Sequence, residues 1–599
     1  MARMDFKPPK EPSLYRLDVF GGLNTSANPT QIRDNQSPDM LNFQIGAQGD
    51  LVKRTGYERV FASSLGEGPI LGMTTYRNHN GGIEFIVAHG TRLYSISNDG
   101  VVSVQYEGMS GNPVHFFVVG TDLFIMDGVK IMFYSGAIHA DLSANAYIPT
   151  ITISNLPVGG GEPYEDFNLI GNGFSELYSG DGISTEYQLS LKGLDNILVE
   201  AVIDGSSSSI MEGNGLTVNR ETGKVTFTTA PTKGTNNVKI TAFKSFPEFV
   251  SRIYNCTQSV LYGGANDTRV FLTGNPDFPN YIWRSGLYEP TYFPENGFYK
   301  VGDDNEKVMG FSKQYDTLII EKEFSKWNMQ FELNEGVPSF PIKPLNNNVG
   351  TIAKQSVQLV DNSPISLSKN GVYILVSSNV RDERNVQHVS EVVDRRLLNE
   401  SNLDKAISID YNKKYWLALN GRVYIYDYQI NEWFMYDNIH PSCFLEKDGY
   451  LYFGSNTDGL VYRFKKSTES DAYNDDGQAI NAYWYSKLIN FGAFERNKLV
   501  KRIFYSLLPG ARTSCNLYIR TDKKGERLID THRMDSFGFW LFDFSKFSFE
   551  TSDIPQSIAK KIKEKKITHF QLKVENKELD ESLGINSIGL KHAYQNEVK

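Results

Sequence analysis

From residue 69 the chain is written in short apolar or alternating runs, each closed by Gly, Asn or Asp. PILGMTTYR (69–77), IEFIVAHG (83–90), TRLYSIS (91–97), PVHFFVVG (113–120), TDLFIMDG (121–128) and VKIMFYSG (129–136) follow one another. Each is the length of a strand, and their spacing with turn signals predicts an all-β sandwich, barrel or propeller. The same grammar returns after residue 250, at 250–286, 308–332, 356–378, 406–437 and 443–464. Its recurring unit is a strand ending in an aromatic, then Asn-Gly or Asp-Gly, then another strand. NGVYIL, NGRVYIYD, DGYLYFGS and DGLVYRF are four copies. Asn-Gly and Asp-Gly suit two-residue hairpin turns, in which both central residues need φ > 0. Hairpins recurring every 35–45 residues with an aromatic per strand predict propeller blades, six or seven of them.

Two regions break this rhythm. NLPVGGGEPYEDFNLIGNGF (155–174) reads as a Gly-rich linker. Residues 179–243 after it read as an inserted small β-sandwich of strands, an Asp-Gly turn and a Thr-Gly hairpin. From about residue 479 the strands lengthen, which predicts a C-terminal β-sandwich. In it, IPQSIAKKIKEKKI predicts one short helix opened by Asp553 and Pro555. HAYQNEVK at the end reads as a frayed tail or a docking strand. The expected organisation is an extended N-terminal arm (1–62), propeller (63–154), inserted sandwich (155–246), propeller (247–470) and C-terminal sandwich (471–599).

Composition supports the all-β class. Aromatics reach 13% of 599 residues and Gly numbers 51, which suits strands and the turns between them. The net charge of −9 argues against a broad basic surface for nucleic acid. Cys256, Cys443 and Cys515 lie far apart, which predicts buried thiols rather than disulfides or a zinc site. The N-terminus carries no apolar signal-peptide core, and no run of about 18 apolar residues predicts a membrane span.

Chemistry is sparse. GxSxG, Walker and HExxH motifs are absent. Sialidase-type boxes are absent too, since SISNDGVVS (95–103) lacks the Trp. His89 and His115 fall in expected strands and read as satisfied core or edge residues. The pairs Asp303-Asp304, Asp382-Glu383 and Asp475-Asp476 read as solvated turns. KKIKEKK (560–566), the one basic cluster, reads as the solvated face of the short helix, with contact to DNA or an acidic partner as the alternative. No catalytic group, metal or cofactor is expected.

Two stretches carry a family resemblance. Residues 179–243 resemble the small sandwich GDGxxTxFxL…VxVDG…TGxVTFxxAP that is widespread in tailed-phage virion proteins. Gly180, Asp181, Gly182, Thr185, Tyr187, Leu189, Asp204, Gly205, Thr222, Gly223, Val225, Phe227, Ala230, Pro231 and Gly234 stand in place. GGLNTSANPTQIRDNQSPDMLNF, then GDLVKRTGYERV, resembles the head of tailed-phage structural proteins that lead into a propeller. Gly21, Gly22, Leu23, Asn24, Pro29, Ile32, Gln36, Ser37, Pro38, Asn42, Gly49, Leu51, Arg54, Gly56 and Tyr57 match it. The nearest functional relatives by pattern are the tail hub or nozzle proteins of podophages, including packaged-DNA stabilisation plugs.

That resemblance implies a virion structural protein rather than an enzyme, made in the host cytoplasm. It implies a homo-oligomeric ring, six-fold by analogy, around a channel that DNA traverses without sequence recognition. Adjacent tail, adaptor and fibre proteins are its implied neighbours, with no membrane anchor. The arm's apolar anchors Phe20, Leu23, Met40, Leu41 and Phe43 are the candidate interaction residues. They are expected to pin the arm across a propeller edge or onto a neighbouring subunit; alternatively, the segment simply closes the last blade. A tail-tip glycan-binding adhesin is the alternative function, with Trp283, Trp327, Trp416 and Trp433 as groove residues. A glycan-cleaving enzyme is a third.

Overall fold

The computed structural model describes residues 12–598, apart from 47, 137–138, 207–208, 378–384, 511 and 535–554. Six four-stranded antiparallel meanders, and a seventh whose fourth strand is supplied by Tyr57–Arg59, establish the β-propeller class. They occupy residues 70–107, 115–141, 258–300, 308–346, 358–388, 407–437 and 441–464, and are termed blades 1 to 7. The chain divides into two compact units. One holds residues 1–70, 352–376 and 386–599; the other holds 71–351 and 377–385.

The hairpin signals act where they were read. Asn420 and Gly421 both take positive φ (51° and 75°) between the strands Lys414–Leu419 and Arg422–Asp427. In the second unit, blades pack through shared apolar layers. Tyr76, Ile86 and Leu93 of blade 1 join Leu123, Ile125 and Tyr134 of blade 2 in one core. Tyr262, Phe271 and Ile282 of blade 3 likewise meet Leu318, Ile320 and Met329 of blade 4. The aromatic in each strand is therefore filling between sheets.

The first segment after residue 250 is not a strand. Pro247–Tyr254 is a helix with Pro at its first turn, burying Phe249 and Ile253 against blades 2 and 3. Its apolar residues four apart mark one helical face, a signal masked by the strand-like aromatic composition around it.

The inserted domain begins earlier than its Gly-rich stretch suggests. The strand Thr150–Asn155 already belongs to its nine-stranded sheet, which ends at Val238–Phe243. The sheet curls over its own core, so that Tyr178 and Tyr187 meet edge-on at 5.4 Å. The presumed linker 155–174 is structural. Leu169 and Ile170 are buried between blades 2 and 3, and Gly173–Tyr178 is an interior strand.

The C-terminal sandwich has two sheets, and the N-terminal segment is woven into both. Ser13–Leu17, Phe43–Ile45 and Leu51–Lys53 join the sheet built on Gly584–Glu597, Arg496–Leu507 and Gln556–Ile567. Met40–Leu41 joins the other, beside Ala482–Tyr485. The expected short helix is absent: Gln556–Ile567 is a strand paired with Arg496–Leu507, and Asp553 lies outside the described residues. Its inward positions are not all apolar, which hides the period of two. Lys560 and Glu564 face in and pair with Asp530 and Arg527 on the opposite sheet. The terminal HAY segment is no frayed tail, because the strand Gly584–Glu597 runs through it.

Close approach fixes one glycine. A Cβ on Gly56 would lie 1.6 Å from the Asn474 carbonyl oxygen. Gly56→Ala is expected to lose about 3 kcal/mol or more in urea unfolding, at the upper end of overpacking costs. Gly525→Ala, where a Cβ meets nothing within 4 Å, is expected to stay within about 0.5 kcal/mol.

Candidate interaction surface

All five candidate anchors are buried within their own chain. Phe20, Leu23, Met40, Leu41 and Phe43 range from 0 to 8% exposed. Phe20 meets Trp484 edge-on at 5.6 Å. The Leu23 N–H donates to the Trp433 carbonyl at 2.7 Å, and the Asn42 N–H to the Met435 carbonyl at 2.9 Å. The segment therefore crosses the outer strand of blade 6, Glu432–Asp437, and ends in the sandwich. In this chain the segment lies on the propeller edge, with these side chains buried against it and the sandwich. The segment also closes the last blade, since Tyr57–Arg59 is the fourth strand of blade 7, beside Val461–Phe464.

Polar side chains lock this path. Asn24 Nδ2 donates to Gln36 Oε1 at 3.0 Å, and Ser37 Oγ to the Tyr485 carbonyl at 2.8 Å. Glu432 accepts from the Gly22 N–H at 3.0 Å, and burial pushes its carboxyl up. Arg54 is the centre of the junction. Its Nη1 and Nη2 donate to Asp475 Oδ1 and Oδ2 at 2.7 and 2.6 Å, and its Nε to Asn42 Oδ1 at 2.8 Å. Asn42 in turn donates to Asp437 at 2.6 Å. Lys53 beside it donates to Asn576 Oδ1 at 2.7 Å, and burial pushes its ammonium down to about 8.

Asp475 is thus no solvated turn residue: it is 2% exposed and paired. Its partner lies 421 positions away, so no local signal announces it. Asp476 pairs with Arg59 and Asp304 with Lys300 at the surface, while Asp382 and Glu383 lie outside the described residues.

Other candidates resolve into structure. Trp283, Trp416 and Trp433 are buried, and the Trp327 indole N–H donates to Ser325 Oγ at 3.0 Å. Trp327 itself is half-buried. Glu321, buried in blade 4, accepts from Ser312, Thr351 and Lys326. The three cysteines are free, and burial pushes the Cys443 and Cys515 thiols up to about 12. Among the described residues no group of three His, Cys, Asp or Glu could hold a metal ion, and no helix is long and apolar enough to cross a membrane.

His89 is buried. His115 Nε2 lies 2.8 Å from Ser259 Oγ on blade 3, and burial pushes the ring down to about 4. The folded chain then binds fewer protons than the unfolded chain, whose histidine titrates near about 6.5. Its contribution is whole above that pH and is lost as pH falls toward 4, at most about 3 kcal/mol. His115→Gln is expected to flatten the fall of melting temperature between pH 6.5 and 4; an unchanged slope contradicts the assignment.

Among the exposed apolar side chains, one group sits on the inserted domain. Leu156, Val158 and Ile183 are 57, 81 and 83% exposed. They lie by a shallow depression of about 530 Å³ whose lining includes Pro157, Val158, Gly180, Asp181 and Lys233. A second apolar feature is the hairpin of Glu332–Asn334 and Val337–Ser339, where Leu333 and Val337 are 62 and 65% exposed.

No family model matches the chain, and no curated protein does. Among solved structures, it is similar to virginiamycin B lyase from Staphylococcus aureus at 9% identity and TM-score 0.31, covering 66% of this chain and 94% of that one. An exo-β-1,3-galactanase from Phanerochaete chrysosporium matches at 9% identity and TM-score 0.18, over 87% and 100% of the two chains. The dihydro-heme d1 dehydrogenase NirN matches at 8% and 0.23, over 51% and 66%. Likenesses of this strength carry nothing about activity.

Proposed function

We propose that this chain is a structural subunit of a tailed-phage virion, a tail hub or nozzle protein that assembles as a ring around the DNA channel. The observation that carries the reading is the junction around Arg54. The residues that give the N-terminal segment its phage-like pattern, including Gly22, Leu23, Asn24, Gln36, Ser37, Asn42, Arg54, Gly56 and Tyr57, are spent on fastening that segment to blades 6 and 7 and to the sandwich. A pattern of that kind specifies a frame, and a stiff frame suits load and attachment.

Ring assembly needs a heterologous interface, in which two different patches of one chain meet on adjacent copies. The apolar end of the inserted domain and the exposed hairpin of blade 4 are two such patches, and the occupant of the first is a second copy of this chain. Purified full-length protein is expected to form closed rings, six-fold by the family analogy, in negative-stain microscopy. Monomers that bind host-surface glycan would favour the adhesin reading, and turnover of a polysaccharide would favour an enzyme.

A further inference from the structure

The lysine-rich segment, once it is a strand, presents its charges in a grid. On Gln556–Ile567 the exposed residues Lys561, Lys563 and Lys565 alternate, so they share one face. On the adjacent strand Arg496–Leu507, Arg502 lies directly opposite Lys561, and on its other side opposite Lys591 of Gly584–Glu597. Lys501 sits at the irregularity in register beside Arg502. These six cations line one depression of about 380 Å³. The nearby carboxylates face the other way: Glu564 pairs with Arg527 and Lys524, and Asp530 with Lys560. Among the described residues no carboxylate pairs with any of the six.

Like charges directly opposite on a sheet are destabilising, so this row has a cost. Lysines on an edge strand are a known guard against strand addition, and Gln556–Ile567 is at its sheet's edge. That accounts for Lys561, Lys563 and Lys565. It leaves out Arg502, Lys501 and Lys591, which lie on interior strands where no edge needs guarding. An extended polyanion relieves the repulsion of all six together. Alternate residues on a strand repeat about every 6.6 Å, comparable to successive phosphates along a nucleic-acid strand. A lipid surface would need an apolar cluster to insert beside the charges, whereas this row offers the single exposed Leu14.

We propose that this face is a phosphate-backbone site for nucleic acid, sequence-independent and set on a chain that is acidic overall. The inference is independent of the ring reading. The test uses full-length protein and fluorescence anisotropy of a labelled mixed-sequence DNA duplex. Binding is expected at a Kd of about 10⁻⁴ to 10⁻⁶ M near physiological salt, with log K falling by about 5 per decade of salt. Lys561→Glu/Lys563→Glu/Lys565→Glu is expected to weaken it at least about 10-fold and flatten the salt slope by about 2 to 3. A Gln version of the same set serves if the Glu set fails to fold.

The control Lys192→Glu/Lys224→Glu/Lys239→Glu, of equal charge change on the inserted domain and away from its apolar depression, is expected to bind as the parent does. Equal loss in both sets, absence of duplex binding, or preference for phosphatidylglycerol vesicles over DNA each overturns the proposal. Rings that ignore DNA would remove this inference and leave the ring reading; DNA binding by a chain that never assembles would do the reverse.

Discussion

Arg54→Ala is expected to destabilise the chain by about 3–5 kcal/mol, the cost of leaving one member of a buried ion pair alone. Both side chains are almost wholly enclosed, at 2 and 1% exposure. Asp475 would keep only the Asn438 amide at 3.1 Å as a side-chain donor. Asn42 would lose the donor that orients it between Arg54 and Asp437. Arg54→Lys keeps the charge but cannot make the two parallel bonds, so it is expected to fall between. The double change Arg54→Met/Asp475→Leu removes both charges and is expected to be less damaging than Arg54→Ala, because a buried pair often does little better than apolar replacements. Urea midpoints read all three. A loss below about 1 kcal/mol for Arg54→Ala would show that the junction does not hold the segment in place.

The second large effect concerns assembly. Val158→Asp/Ile183→Asp is expected to turn rings into monomers in sedimentation velocity, with circular dichroism and melting temperature unchanged. Both side chains are more than four-fifths exposed, so the folded chain loses little. Burying each in an interface is worth about 1.5 kcal/mol or more, and placing a charge there adds a desolvation cost. Together these weaken association by at least about 100-fold. Rings that persist in the double variant would place the interface elsewhere. Leu333→Asp/Val337→Asp tests the complementary patch by the same readout.

The two parts of the N-terminal segment show why some of this was legible and some not. Its anchors were identifiable because Phe20, Leu23, Met40, Leu41 and Phe43 are apolar residues in a polar, turn-rich stretch. Where they dock was not, because partners such as Trp433 for Leu23 and Trp484 for Phe20 lie more than about 400 residues on. The same holds for Asp475: adjacent carboxylates read as solvated until a distant arginine is brought against one. The basic run misled differently. Lys560 and Glu564 occupy inward positions that are satisfied across the sandwich, so the local pattern lost the alternation that marks a strand.

By itself the sequence determined the all-β class, the blade hairpins and the core of the inserted domain. These rest on short-range rules: positive φ at Asn-Gly and Asp-Gly turns, and alternation of apolar side chains across a sheet. Tyr187, Leu189, Val225 and Phe227 are core residues, as their alternation required. Only the tertiary structure decided that residues 13–53 complete the C-terminal sandwich, that Arg54 meets Asp475, and that the lysines form a strand beside Arg502. Each of those depends on which remote strand supplies the missing hydrogen bonds and countercharges, and local periodicity contains no information about a partner hundreds of residues away.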